Sequence, residues 1–358
     1  MWFADPQTTC TIVGGLAQTL CWTWIQSKAS NSFGRGLQKR QKQRAWFSEP
    51  PNKGLAGHQR SKMAPGKWGE SFLKSGLPLE HMAMSILTRM GWDCETSYEY
   101  ERLNRDGKQE WFELDLEAES PFIDSNQPSL KLIVECKYHD PSRFWMLLPH
   151  VPTRWHFEDR LLNYAPFEAL KSRRHSSLLN LAPTSVRGVV VSQDGQKQDD
   201  ALYTAIQQVV HGFLPLVLGH GFGYSLDVKR GYSPTITAYI PMIITNADLF
   251  RMLPSVSSLS DIRKANEPSD IAERLQWTWL YYDIPIALLD QQRDFVVAHQ
   301  EVMERLLQKY PAASKRLTSM PGRPNWIALV NIEYLESAVE AIFRQFTKIK
   351  TRKPEEFL

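Results

Sequence analysis

The sequence predicts an α/β fold, a mixed β-sheet flanked by helices, and three observations predict it. Apolar runs of strand length (Leu130 to Tyr138, Val186 to Ser192, Thr235 to Thr245, Trp326 to Ile332) alternate with segments of helical periodicity. The 358 residues are 42% hydrophobic and include 12 Trp, 12 Tyr and 16 Phe, enough apolar side chain to cover both faces of a sheet. No apolar run approaches the roughly 20 residues of a membrane-spanning helix, so no membrane association is expected.

Residues 1–62 differ from the rest. They carry nine basic residues against Asp5 and Glu49, a net charge of +7; the whole chain carries +3, which leaves −4 for the remainder. Gln, Ser, Gly and basic residues dominate there and no apolar periodicity persists after Ile25, so a disordered or loosely packed basic extension is expected. Thr11 to Ile25 is broken by Gly14, Gly15, Gln18 and Thr19 with no preceding Lys or Arg, which is not the pattern of a secretory leader. The four cysteines form no CxxC pair and are too few for a disulfide framework, as expected of a reducing cytoplasm.

Residues 63–358 then form one domain. Pro78 in a first turn, Glu80 behind it, Met82, Ile86, Leu87 and Met90 at helical spacing and Gly91 as a stop predict an amphipathic helix. Trp111 to Ala118 alternates apolar with acidic residues and Leu130 to Tyr138 opens on Leu132, Ile133 and Val134, so two strands are expected around a loop at 120–129. Later elements are a strand at Val186 to Ser192, a helix near Asp200 to Leu218, a strand at Thr235 to Thr245 entering a short helix at Ala247, and a strand at Trp277 to Ile284. A helix at Asp294 to Lys309, a strand at Trp326 to Ile332 and a helix at Leu335 to Phe346 complete the expectation.

Strand alternation gives Phe112, Leu114, Leu116 and Ala118 one face and Glu113, Asp115 and Glu117 the other; on the next strand Glu135 and Lys137 share a face and Cys136 opposes them. A carboxylate and an amine that follow directly on Leu-Ile-Val point to a site, because burying charge costs several kcal/mol unless it is paired or binds metal.

Three pieces, Gly76-Leu77-Pro78-Leu79-Glu80 opening a helix, Glu113-Leu114-Asp115-Leu116-Glu117-Ala118 on a strand and Val134-Glu135-Cys136-Lys137 on the next, resemble the PD-(D/E)XK nuclease superfamily. The order helix, Asp strand, Glu-x-Lys strand carries the resemblance, although Leu114 stands where that pattern has Pro. It implies a restriction-endonuclease-like mixed β-sheet with a C-terminal α/β elaboration, and a metal-dependent endonuclease hydrolysing DNA in defence or DNA processing. Asp115 and Glu135 would hold Mg²⁺ or Mn²⁺, Glu80 would reach the ion through water or help hold a second one, and Lys137 would sit beside the attacking water and the scissile phosphate. Glu113 and Glu117 compete with Asp115 as ligand. Helix capping by Glu80 and a structural salt bridge of Asp115 or Glu135 with Lys137 or an arginine are the rival readings.

Between Arg143 and Arg187 basic residues outnumber acids and aromatic residues are interleaved, which makes Arg143, Arg154, Arg173 and Arg174 candidate nucleic-acid contacts. Gln207 and Gln208 are candidates to approach the scissile region. Gly219-His220-Gly221-Phe222-Gly223 lacks the spacing of a phosphate-binding or dinucleotide loop and reads as a turn. A catalytically inactive nucleic-acid-binding domain of the same fold and a nuclease acting on RNA are the alternatives; a homodimer or a partner subunit would supply target recognition.

Overall fold

The computed structural model describes residues 67–103, 109–121, 129–150, 163–165, 176–192, 197–198, 202–213, 216, 237–282 and 326–348. The basic extension at 1–62, the glycine-rich turn at 219–223 and the helix expected at Asp294 to Lys309 lie outside the described residues.

Helices α1 (Lys67–Lys74) and α2 (Leu77–Arg89) lead into strands β1 (Asp93–Leu103), β2 (Gln109–Glu119), β3 (Ser129–Lys137), β4 (Arg143–Pro149) and β5 (Asn163–Ala165). Next come α3 (Ser176–Leu179), β6 (Thr184–Ser192), β7 (Lys197–Gln198) and α4 (202–213). Strands β8 (Thr237–Thr245) and β9 (Asp248–Met252) precede α5 (Leu259–Lys264), β10 (Ala272–Leu275), β11 (Trp277–Tyr281), β12 (Trp326–Asn331) and α6 (Leu335–Phe346). All twelve strands belong to one mixed sheet in the order β1-β2-β3-β8-β12-β11-β6-β4-β9-β10, with β5 added to β8 and β7 to β6.

α2 starts where the sequence places it. Gly76 takes the left-handed conformation (φ 83°) at its N-cap and Pro78 follows in the first turn; Gly91 (φ 88°) lies just past the end. Leu79, Ala83 and Leu87, four residues apart, form its buried stripe. They pack with Leu116, Ala118, Leu132, Val134 and Cys136 from β2 and β3, with Ile240, Met242 and Ile244 from β8, and with Leu335, Val339 and Ile342 from α6. On the second side Leu202, Ala205, Ile206, Val209 and Val210 of α4 pack on Ile243, Ile327, Leu329, Trp145, Leu147 and Leu249.

The sheet cannot be flat. β8 and β9 are five places apart in strand order, roughly 24 Å at about 4.8 Å per strand, yet only Asn246 and Ala247 separate them, and three residue steps span about 11 Å at most. β3 and β4 are also five places apart and five residues join them. The parallel pair β3/β8 therefore turns a corner into the parallel pair β4/β9, and the sheet curls around α4. This corrects the short helix expected at Ala247. Residues 248–252 form a strand because β4 on one side and β10 on the other complete its ladders.

β8 runs parallel to β3 along its whole length. Its other edge is shared by β5 (opposite 237–239) and β12 (opposite 242–245). Pro241, which has no N–H for a ladder, falls outside both segments on that edge, where a central strand tolerates it.

Candidate active site

β2 and β3 pair antiparallel from Glu119↔Lys131 to Leu116↔Val134, and there the ladder ends. One further step in this register sets Asp115 opposite Glu135, where the strands part. Asp115 then replaces the lost ladder bond: the backbone N–H of Cys136 donates to Asp115 Oδ2 at 2.6 Å. Leu116 and Ala118 belong to the cluster beneath α2, whereas Leu114 is buried with Tyr100, Ile133, Phe213 and Tyr239. The common environment expected for the even positions of β2 therefore breaks at Asp115. α4 enforces the break: a Cβ on Gly212 would lie 2.4 Å from Leu114 Cδ1, so only glycine lets the helix approach β2 this closely.

Glu135 is 1% exposed, and Lys137 Nζ donates to its Oε1 at 2.6 Å. Its Oε2 is buried without a hydrogen-bond partner. Burial, and then the neighbouring Asp115 carboxylate, push the Glu135 carboxyl up to about 8 against the opposing pull of Lys137. Asp115 is raised too, chiefly by burial, with the Cys136 N–H and Lys137 opposing and Glu113 adding to the rise. Half-buried Glu80 stands in the first turn of α2, one residue round from the buried stripe. Its carboxyl is raised by burial, then by Asp115 and Glu113, while Lys137 opposes. The structure thus brings together all four residues expected at the site, Glu80, Asp115, Glu135 and Lys137.

The two competing acids separate. Glu113 adds to the rise of Glu80 and Asp115, whereas Glu117 is ion-paired with Lys131, which also reaches Glu119 Oε2 at 3.2 Å. Cys136 is buried among the apolar residues beneath α2. Arg143 begins β4 at the corner, close enough to Asp140 and His139 to affect both; Arg154, Arg173 and Arg174 lie outside the described residues. Gln208 lies over β1, its backbone carbonyl accepting from Tyr100 Oη at 3.2 Å, and Gln207 precedes it on α4.

Among the described residues no group of three or more His, Cys, Asp or Glu side chains is placed to hold a metal ion. The Oε2 of Glu135 is buried without a partner, the carboxyls of Glu80, Asp115 and Glu135 are all raised, first of all by burial, and carboxylate oxygens are donors of the kind that suit Mg²⁺ or Mn²⁺.

Beyond the site, two residues at the corner carry no signal in the sequence. His139 is 5% exposed, edge-on to Trp145 (ring centroids 5.4 Å apart), and burial, then Arg143 and Lys137, lower its pKa to about 4, so the imidazole is neutral at pH 7. Asn246 holds the backbone of His139 from β8's end: His139 N–H donates to Asn246 Oδ1 at 2.7 Å, and Asn246 Nδ2 donates to the His139 carbonyl at 2.7 Å. Asn246 gains this partner only from the corner, where the end of β8 meets the chain leaving β3.

Compared with family models, with curated proteins and with solved structures, the chain matches none. No helix among the described residues is long and apolar enough to cross a membrane.

Proposed function

We propose that the chain is a metal-dependent endonuclease hydrolysing phosphodiester bonds in DNA, of the restriction-endonuclease-like class. One observation carries this reading: three acids and one lysine converge where β2 and β3 part, with a buried carboxylate oxygen of Glu135 left unpartnered. The order that carries the sequence resemblance, helix, Asp strand, Glu-x-Lys strand, has its members as successive neighbours, α2 lying on β2 and β3.

Asp115 and Glu135 would hold Mg²⁺ or Mn²⁺, with Glu80 acting through water. When bound, the ion supplies Lewis acidity at the phosphoryl oxygen. Lys137 turns from Glu135 toward the scissile phosphate, where its ammonium favours hydroxide over water and neutralises charge that develops in the transition state. The attacking water gives up one proton to solvent as its oxygen bonds to phosphorus, the bond to the leaving oxygen breaks, and that oxygen takes up one proton from solvent. Arg143, at the start of β4 near His139 and Asp140, would contact a neighbouring phosphate.

A second reading, a catalytically inactive nucleic-acid-binding domain, is favoured by the closed Glu135–Lys137 pair and by the lack of a three-ligand cluster among the described residues. Supercoiled plasmid, linear duplex, single strands and RNA, each incubated with the protein with and without Mg²⁺, separate the readings. Mg²⁺-dependent nicking of plasmid is expected. Cleavage of RNA alone reassigns the substrate, and binding without cleavage of any substrate establishes the inactive domain.

A further inference from the structure

The side chain that holds the chain just beyond Lys137 lies across the corner from it. Lys137 is the last residue of β3, and its ladder partner on β8 is Thr245, likewise the last of its strand. Past this pair no parallel ladder continues. The backbone on each side must be held by something else, or the ammonium rides on a loose chain end. On the β8 side, Thr245 Oγ1 accepts from Ala247 N–H at 3.1 Å, and Asn331 Nδ2, from the end of β12, donates to the Ala247 carbonyl at 3.0 Å. On the β3 side, the two bonds from the Asn246 side chain take both backbone groups of His139, two residues beyond Lys137. The amide orientation follows from its partners, since an N–H needs the oxygen and a carbonyl needs the NH₂. Asn246 in effect supplies one more rung after the ladder has ended.

We propose that Asn246 is a positioning residue for Lys137. Its amide fixes the chain leaving β3 so that the lysine stays over Glu135 and, on the nuclease reading above, within reach of the scissile phosphate. This rests on that reading for its consequence in catalysis but not for its consequence in structure. The clamp acts on the backbone of His139 and not on its imidazole, so the two side chains have separable effects. Asn246→Ala removes both bonds. Asn246→Asp keeps the acceptor for His139 N–H and loses the donor to its carbonyl. His139→Phe keeps both bonds and changes only the buried ring.

Plasmid nicking with Mg²⁺ is measured for the full chain and the three variants, each with its melting temperature. Displacing a catalytic group by about 1 Å costs up to 10²-fold. Asn246→Ala is expected to lose about 10- to 100-fold in kcat with KM unchanged, Asn246→Asp to fall between it and the wild type, and His139→Phe to keep kcat within about threefold. A wild-type kcat in Asn246→Ala, or a loss in His139→Phe equal to that of Asn246→Ala, overturns the proposal. So does a lower melting temperature with unchanged kcat per folded molecule. If the wild type cleaves nothing, the nuclease reading fails, and the positioning claim is read from ¹⁵N-lysine NMR instead. The Lys137 ammonium, identified by its disappearance in Lys137→Arg, gives a signal protected from exchange by Glu135 in the wild type. That signal is expected to broaden away in Asn246→Ala; equal protection in both proteins overturns the proposal.

Discussion

The same two strands carry a lysine among carboxylates at each end of their shared ladder, and the two ends are built differently. Where the ladder is intact, Lys131 lies between Glu117 and Glu119. Burial works to lower the Lys131 pKa, yet the two carboxylates outweigh it and hold it raised. Where the ladder has opened, Lys137 faces Glu135, Asp115 and Glu80, and all three carboxyls are pushed up. One lysine satisfied by its acids is a fastening. Three carboxyls raised first of all by burial, one of them with a buried and unpartnered oxygen, carry a desolvation cost that their one lysine does not offset.

The contrast is broken most severely at Lys131. Its side chain and that of Glu117 are 15% and 11% exposed. Lys131→Ala should therefore lose stability near the lower end of the roughly 3 to 5 kcal/mol that severing a buried pair costs, read by urea unfolding, and cleavage per folded molecule should hold. Lys137→Ala should do the reverse. Its nicking rate should fall 10²- to 10³-fold, about 2.7 to 4 kcal/mol of transition-state stabilisation, while the melting temperature moves little because Glu135 answers the loss by staying protonated. A Lys137→Ala variant that melts far lower yet nicks normally would make both ends fastenings.

A smaller effect sharpens the comparison through pH. Glu135 titrates near 4.5 when unfolded and near 8 when folded, so the folded state favours its protonated form. Stability from this group is present below about pH 4.5 and is lost as pH rises toward 8. In chelator the melting temperature should drop by several degrees across that window, Glu135→Gln should flatten the drop, and Mg²⁺ at pH 8 should raise the wild type but not the variant. The smallest effect is at the corner: Arg143→Ala should weaken DNA binding alike for all sequences and reduce the slope of log affinity against log salt by about 1, measured by fluorescence anisotropy.

The acid end was legible in the sequence because strand alternation and the Glu-x-Lys spacing are local. Asp115, Glu135 and Lys137, named from that pattern, and Glu80, named from the helix that precedes it, lie close enough to shift one another's carboxyls. The break in packing at Asp115 was not legible, because it depends on Gly212 admitting α4 against Leu114, about a hundred residues away in the chain. β1 was missed for a related reason: Asp93 to Leu103 is polar at most positions, and only pairing with β2 makes it a strand. At Asn246 and Ala247 local propensity favours a helix start, and the ladders of β9 with β4 and β10 override it.

The pairing of β3 with β8 joins residues 108 positions apart, from Ser129 with Thr237 to Lys137 with Thr245. At about 5 to 20 residues per second a ribosome needs roughly 5 to 20 s to supply the second strand after the first. Throughout that interval Leu130, Leu132, Ile133 and Val134, all fully buried in the finished protein, sit on a strand with one edge open, the condition under which nascent chains stick to one another. Yield in a cell should therefore depend on chaperone supply and translation speed more than on the stability of the finished fold. By the same timing, the ladder that ends on Lys137 and Thr245 closes only after Thr245 has left the ribosome.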